Sequence, residues 1–271
     1  MNNKKAAWGA LMVLILGGII IIIFAAMFPK IKWAFDSGSY IENCHMSMIA
    51  QSKIKVVGKT VVPLQCPREQ ITFYKDHIES VIEGKKKEVK VTVEGEKKDE
   101  FKELTDNIVN EVFADKMRWC WYMSGEGNLD PFAEAAVFGV AKDKICLLCS
   151  SIKFDDEVDK SKKFEGLGDY LKSKDIKEGS GEGKKYYDYL SKEQLIEVFW
   201  IDIDTKESLQ MYDIKEINPD KTYAVFMLAG KANALDDFTD IQEDTYFIYV
   251  APIERVTSRY KGVDVCNVLL N

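Results

Sequence analysis

Two cysteines three positions apart, Cys146 and Cys149, have the types and spacing to do chemistry in this 271-residue chain. Such a pair can be a redox dithiol, half of a zinc site, or two structural half-cystines with different partners. A redox pair needs its first thiol at a helix N-terminus, where the dipole lowers the thiol pKa. Here Leu147 and Leu148 separate the sulfurs, within an apolar run (144–154) bounded by charges that reads as a buried strand. A zinc knuckle uses a tight turn, usually with glycine, and none is present. In an extended strand, positions 146 and 149 point to opposite faces, because side chains alternate with period two. The spacing therefore favours two structural disulfides over a metal site or a dithiol.

The chain has four further cysteines, Cys44, Cys66, Cys120 and Cys266, which makes an even set of six. All six are disulfide candidates. Cys120 lies on the inward stripe of a long helical pattern and is expected to meet Cys146 or Cys149. Cys44 and Cys66 are expected to pair near the start of the domain, Cys66 lying in a turn bracketed by Pro63 and Pro67. The two histidines, His45 and His77, are too few for most metal or triad chemistry. Cys44 and His45 with Cys146 and Cys149 would supply four zinc ligands, but adjacent ligands hinder one another. Gly58-Lys59-Thr60 lacks the upstream glycine of a phosphate loop, and Gly179 to Lys184 lacks its serine or threonine. The Ser150-x-x-Lys153 spacing sits on the expected strand without companion motifs. Nothing here calls for a catalytic residue, a metal or a cofactor.

The elements that must position these cysteines follow from periodicity. Residues 35–50 carry a mixed pattern compatible with a helix, with a break or cap at 36–39. Valine-rich 54–62, then 70–74 and 88–94, read as short strands, the last alternating valine with polar residues. The lysine run 85–87 reads as a solvated turn. Residues 99–122 repeat apolar side chains at helical spacing from Phe101 to Cys120, with Asp99 as expected N-cap and Gly125 and Gly127 ending the pattern. Residues 155–186 are dense in charge, glycine and serine. They read as a flexible excursion with one short helix at 167–173, and as a domain boundary. Strands follow at 195–202, 222–229, 245–251 and 263–270, with a loop at 236–240. Helices do not alternate with strands, so the expected class is α+β: a mainly antiparallel sheet with a long packed helix.

One stretch sets the compartment. Residues 8–28 carry no charge, and twelve of them are Leu, Ile, Val or Phe. At about 1.5 Å rise per residue, such a helix spans roughly 30 Å, the thickness of a bilayer core. The run exceeds the ~7–15 residues of a signal-peptide core, and no cleavage site follows it. It reads as an uncleaved transmembrane anchor behind a cytoplasmic tail, 1–7. Lysine counts hardly orient it, with Lys4 and Lys5 on one side and Lys30 and Lys32 on the other. Six cysteines beyond the anchor place the bulk of the chain in an oxidising compartment. Without those four lysines, 33 basic residues remain against 44 acidic ones, which argues against nucleic acid as a partner. Gly17-Gly18 offers a small close-approach spot for the helix of a membrane-protein partner.

The run Cys120 to Gly127, then Asp130-Pro131-Phe132 and Cys146-Leu147-Leu148-Cys149 with Ile152 and Phe154, resembles a set of uncharacterised archaeal membrane-anchored proteins. That resemblance implies one N-terminal anchor and an external cysteine-containing domain, with no activity and no residue roles. The expected organisation is a tail at 1–7, a span at 8–28, a cysteine-containing α+β region at 34–154, the charged excursion at 155–186 and a strand-rich region at 187–271. The expected function is an extracytoplasmic binding or structural accessory module held to the cell membrane by one pass through the bilayer. The competing reading is an envelope thiol–disulfide oxidoreductase using Cys146 and Cys149.

Overall fold

A computed structural model of the chain describes residues 39–53, 64–129, 144–191, 199–201, 208–210, 216–230, 245–256, 259–260, 263–264 and 268–270. The apolar run at 8–28, the strand expected at 54–62, the loop expected at 236–240 and Cys266 lie outside them. Among the described residues, no helix is long and apolar enough to cross a membrane. The chain divides into two compact units, Met1–Glu42 and Asn43–Asn271.

The first described helix, α1 (Ser39–Lys53), begins at the break expected near 36–39. Three strands follow the proline-bracketed turn: β1 (Glu69–Phe73), β2 (Ile78–Ile82) and β3 (Lys85–Glu88). The lysine run is therefore an exposed edge strand, not a turn. The turn is Glu83-Gly84, both at positive φ (50° and 77°), joining Ile82 to Lys85 across a two-residue loop. The strand expected at 88–94 is divided between Glu88, the end of β3, and Val91, and a second Glu-Gly pair, Glu94-Gly95 (φ 53° and 87°), ends it. That pair closes a hairpin of β4 (Val91–Val93) and β5 (Glu96–Lys98).

The long helix, α2 (Asp106–Met123), starts seven residues later than the Asp99 expected as its cap. Thr105 is the N-cap, and its side chain accepts from the Ile108 amide. Phe101 and Leu104 are buried without being helical, because the Phe101 amide bonds the Asp76 carbonyl at 2.8 Å and holds the segment against the turn between β1 and β2. Their spacing imitated another turn of helix. The C-terminus closes at Ser124, whose amide bonds the Cys120 carbonyl, and at Gly125 with φ 81°.

Then come β6 (Lys144–Phe154), β7 (Phe164–Glu165), α3 (Leu167–Ser173), α4 (Tyr186–Ser191), β8 (Phe199–Ile201), β9 (Ser208–Gln210) and β10 (Glu216–Ile217). The chain continues through β11 (Tyr223–Gly230), β12 (Thr245–Pro252), α5 (Ile253–Val256), β13 (Arg259–Tyr260), β14 (Val263–Asp264) and β15 (Val268–Leu270). The main sheet has the order β12-β11-β6-β1-β2-β3, with β15 also beside β6. Most pairings are antiparallel; β1 and β15 run parallel to β6. The fold is α+β with a mainly antiparallel sheet, as the absence of strand–helix alternation implied.

The core lies between this sheet and α2. Phe113 of α2 stacks on Phe73 of β1 at 6.4 Å and meets Tyr223 of β11 edge-on at 5.7 Å. Phe73 stacks on Phe154 of β6, and Phe154 on Phe164. Each such ring, fully buried, contributes about 1.5–3 kcal/mol. Residues 155–186 are no separate excursion. Phe164, Leu167, Leu171 and Ile176 are buried, and Asn110 and Asp106 of α2 bond the backbone of Glu165. Residues 43–271 form one compact unit, with no boundary at that segment. Its charges lie on the outer side of a layer whose few apolar anchors suffice to dock it.

Candidate functional site

The cysteines show what the sheet and α2 do together. Cys44 of α1 is bonded to Cys66, and Cys120 of α2 to Cys149 of β6. Cys146 is also disulfide-bonded. No cysteine described is free. The two sulfurs of the Cys146-x-x-Cys149 spacing thus serve different bonds, and all four of the paired cysteines are at most 5% exposed.

A β-bulge makes the Cys120–Cys149 bond possible. Phe154 reaches the α2 side of the sheet through Phe73 and Phe113, so alternation puts Ile152 and Ser150 on that side too. Unbroken alternation would turn Cys149 away. The pairing of β6 with β11 shifts there: Val225 faces Ser150 and Phe226 faces Leu148, leaving Cys149 as the extra residue. Cys149 and Ser150 therefore both address the helix, and Cys146, three residues back, falls on the opposite face.

Charged groups gather on both sides of α2, which the sequence reading did not single out. Toward the sheet, Lys116 donates to Glu69 of β1 at 2.9 Å, and Ser80 of β2 donates to the same oxygen at 2.5 Å. Both ends of this ion pair are buried. On the other side, Glu111 accepts from the Thr92 amide, the Thr92 hydroxyl and Lys97 at 2.7–2.9 Å. Arg118 donates twice to Asp115 and once each to the carbonyls of Glu178 and Ser180, and stacks over Trp119. It clamps the glycine-rich loop against α2. Gly179 and Gly181 sit at φ 80° there, and a Cβ on Gly181 would collide with Tyr189. Ser180 and Tyr189 both donate to Glu126 beneath the loop. The loop dismissed as a phosphate motif is a latch.

Between α2, α3, α4 and this loop lies a cleft with a free volume of about 30 Å³. Glu111, Asp115, Tyr170, Asp175, Lys177 and Tyr186 line it, together with Lys97, Arg118, Ile176 and Glu178. The rings of Tyr170 and Tyr186 stand 6.1 Å apart at 47°. Burial pushes both phenols up from their ordinary pKa, with Glu111 and Asp115 adding to the rise, so both stay protonated.

The histidines stand apart from this cleft. His45 stacks on Tyr122 at 4.3 Å with Nδ1 2.7 Å from the Tyr122 carbonyl, and His77 bonds Asp76. Among the described residues, no group of three or more Cys, His, Asp or Glu is placed to hold a metal ion. The four-ligand set of Cys44, His45, Cys146 and Cys149 is not assembled, since Cys44 and Cys149 are spent on other sulfurs.

No family model matches the chain, and no curated protein and no solved structure matches it. The site stands on its own chemistry. Its sulfurs form cross-links, its buried ions are paired, and its cleft presents two neutral phenols among carboxylates. That set can bind and orient a small polar group.

Proposed function

We propose that this chain is a single-pass membrane protein, anchored by residues 8–28, whose domain lies outside the cytoplasm as a binding or structural accessory module. The observation that carries the reading is the conjunction of an uncharged apolar run with a domain whose described cysteines are all oxidised. Disulfides persist in oxidising compartments, and an uncharged run of this length inserts into a bilayer. The resemblance of residues 120–154 to archaeal membrane-anchored proteins agrees with it. The bilayer is the first partner, and another membrane protein is the second; the acidic domain repels nucleic acid.

The alternative is an envelope thiol–disulfide oxidoreductase using Cys146 and Cys149, and the sulfur geometry favours the module over it. A reversible dithiol needs two neighbouring sulfurs in one accessible bond. Cys149 is instead bonded to Cys120 and is 3% exposed. Insulin reduction by the full chain and by its Cys149→Ser variant is expected at the same background rate.

The anchor and its orientation are tested on cells expressing the full chain. Alkaline carbonate is expected to leave it in the membrane pellet, and protease added to intact cells is expected to digest the domain. Release by carbonate, or a domain protected until the cells are lysed, overturns the reading.

A further inference from the structure

The phenol-lined cleft on the outer side of α2 has features that packing alone does not explain. Tyr186 is 7% exposed and lines the cleft, yet its hydroxyl makes no hydrogen bond among the described residues, and neither does that of Tyr170. Neither hydroxyl is sealed from solvent, since among the described residues the fully buried side-chain polar atoms without a partner are the Asn110 Oδ1 and the Trp121 Nε1. Both phenols therefore keep a free donor and acceptor at an open cleft, where a polar group can bind. The other cleft groups divide into committed and open ones. Glu111 is held by Lys97 and Thr92, and the Oδ1 of Asp115 by Arg118. Asp175 and the Oδ2 of Asp115 make no hydrogen bond or ion pair among the described residues. Lys177 reaches only the Thr92 hydroxyl, at 3.5 Å. The lining holds four carboxylates against three cations, so the open capacity is that of acceptors. Two tilted aromatic rings add electron-rich faces, which attract a cation.

We propose that this cleft binds a primary alkylammonium group, such as a lysine tip or the head of a small amine. The ammonium donates to the Asp115 Oδ2, to Asp175 and to a phenol oxygen, and its carbon stem lies against the rings of Tyr170 and Tyr186. The free volume of about 30 Å³ is on the scale of a single such head. Lys177 opposes the ligand from the rim and limits its affinity. This inference deepens the reading of the domain as a binding module and rests on it. The anchor experiment and the binding experiment read different properties, so either can fail without the other.

The test uses the full chain in detergent micelles, with ring-labelled tyrosine followed by NMR during titration with propylammonium chloride, and with sodium propionate in parallel. Propylammonium is expected to shift the Tyr170 and Tyr186 ring signals saturably, and propionate is not. Asp175→Asn removes an exposed carboxylate without a structural partner and is expected to weaken binding about tenfold. Lys177→Gln is expected to tighten it about threefold, a sign that a merely structural role for the cleft does not produce. No saturable shift with propylammonium, an equal shift with propionate, or unchanged affinity in both variants overturns the proposal.

Discussion

Glu69 and Lys116 meet where α2 crosses β1, and both are largely shielded from water. Removing one partner strands the other as a buried charge, so Glu69→Ala is expected to cost about 3–5 kcal/mol. Replacing both with apolar residues of similar volume, Glu69→Leu with Lys116→Met, is expected to recover most of that loss. Denaturant unfolding of the natural chain and these two variants in micelles checks the order, and a double variant no more stable than Glu69→Ala contradicts it. The cysteines were legible as residues in sequence because an even set beyond an apolar run has few alternatives. The ion pair was not. A lysine or glutamate inside a helical pattern reads as the wet face, and only the cover of β1 on one side and residues 155–186 on the other makes α2 buried nearly all round.

A single inserted position sets the reach of β6. Strict alternation orients the sulfurs of a strand, and the bulge at Cys149 re-aims one of them onto Cys120. The cross-link closes a loop across a sequence separation of 29 residues. Its loss in a Cys120→Ser, Cys149→Ser double variant is expected to cost about 2–4 kcal/mol by differential scanning; an unchanged melting temperature contradicts this. The hairpins make a second prediction. Gly84 and Gly95 adopt positive φ with open space around them, so alanine at either position strains the turn without a clash. A loss of about 1 kcal/mol is expected at each. Periodicity found the strong elements: α2, β6, α3, β11 and β12. It misplaced what turn chemistry and long-range contacts decide. Glu-Gly dipeptides acted as two-residue turns, and Phe101 was taken into a helix that Thr105 caps.

At the scale of the molecule, the domain is a layer of strands, a helix buried behind it, and a charged outer layer that also packs. The buried phenols give this assembly an alkaline limit. Burial pushes Tyr223 up to about 12, and Tyr170, Tyr186 and Tyr189 higher still. The unfolded chain ionises its tyrosines near pH ~10, while the fold keeps these protonated. Stability from them is fully present below that pH and is lost as pH rises toward 12. The melting temperature is expected to fall across that window, with phenolate absorbance rising as the fold is lost; full tyrosine ionisation near pH 10 with the fold intact contradicts it.

Compartment, bulge and helix position all converge on where the sulfurs are joined. Alkylation of intact cells expressing the full chain, followed by non-reducing peptide mapping, measures this directly. Peptides bearing Cys44 and Cys66 are expected to be linked, as are those bearing Cys120 and Cys149. A Cys120 or Cys149 found alkylated before reduction, or a Cys146–Cys149 bond, would contradict that pairing.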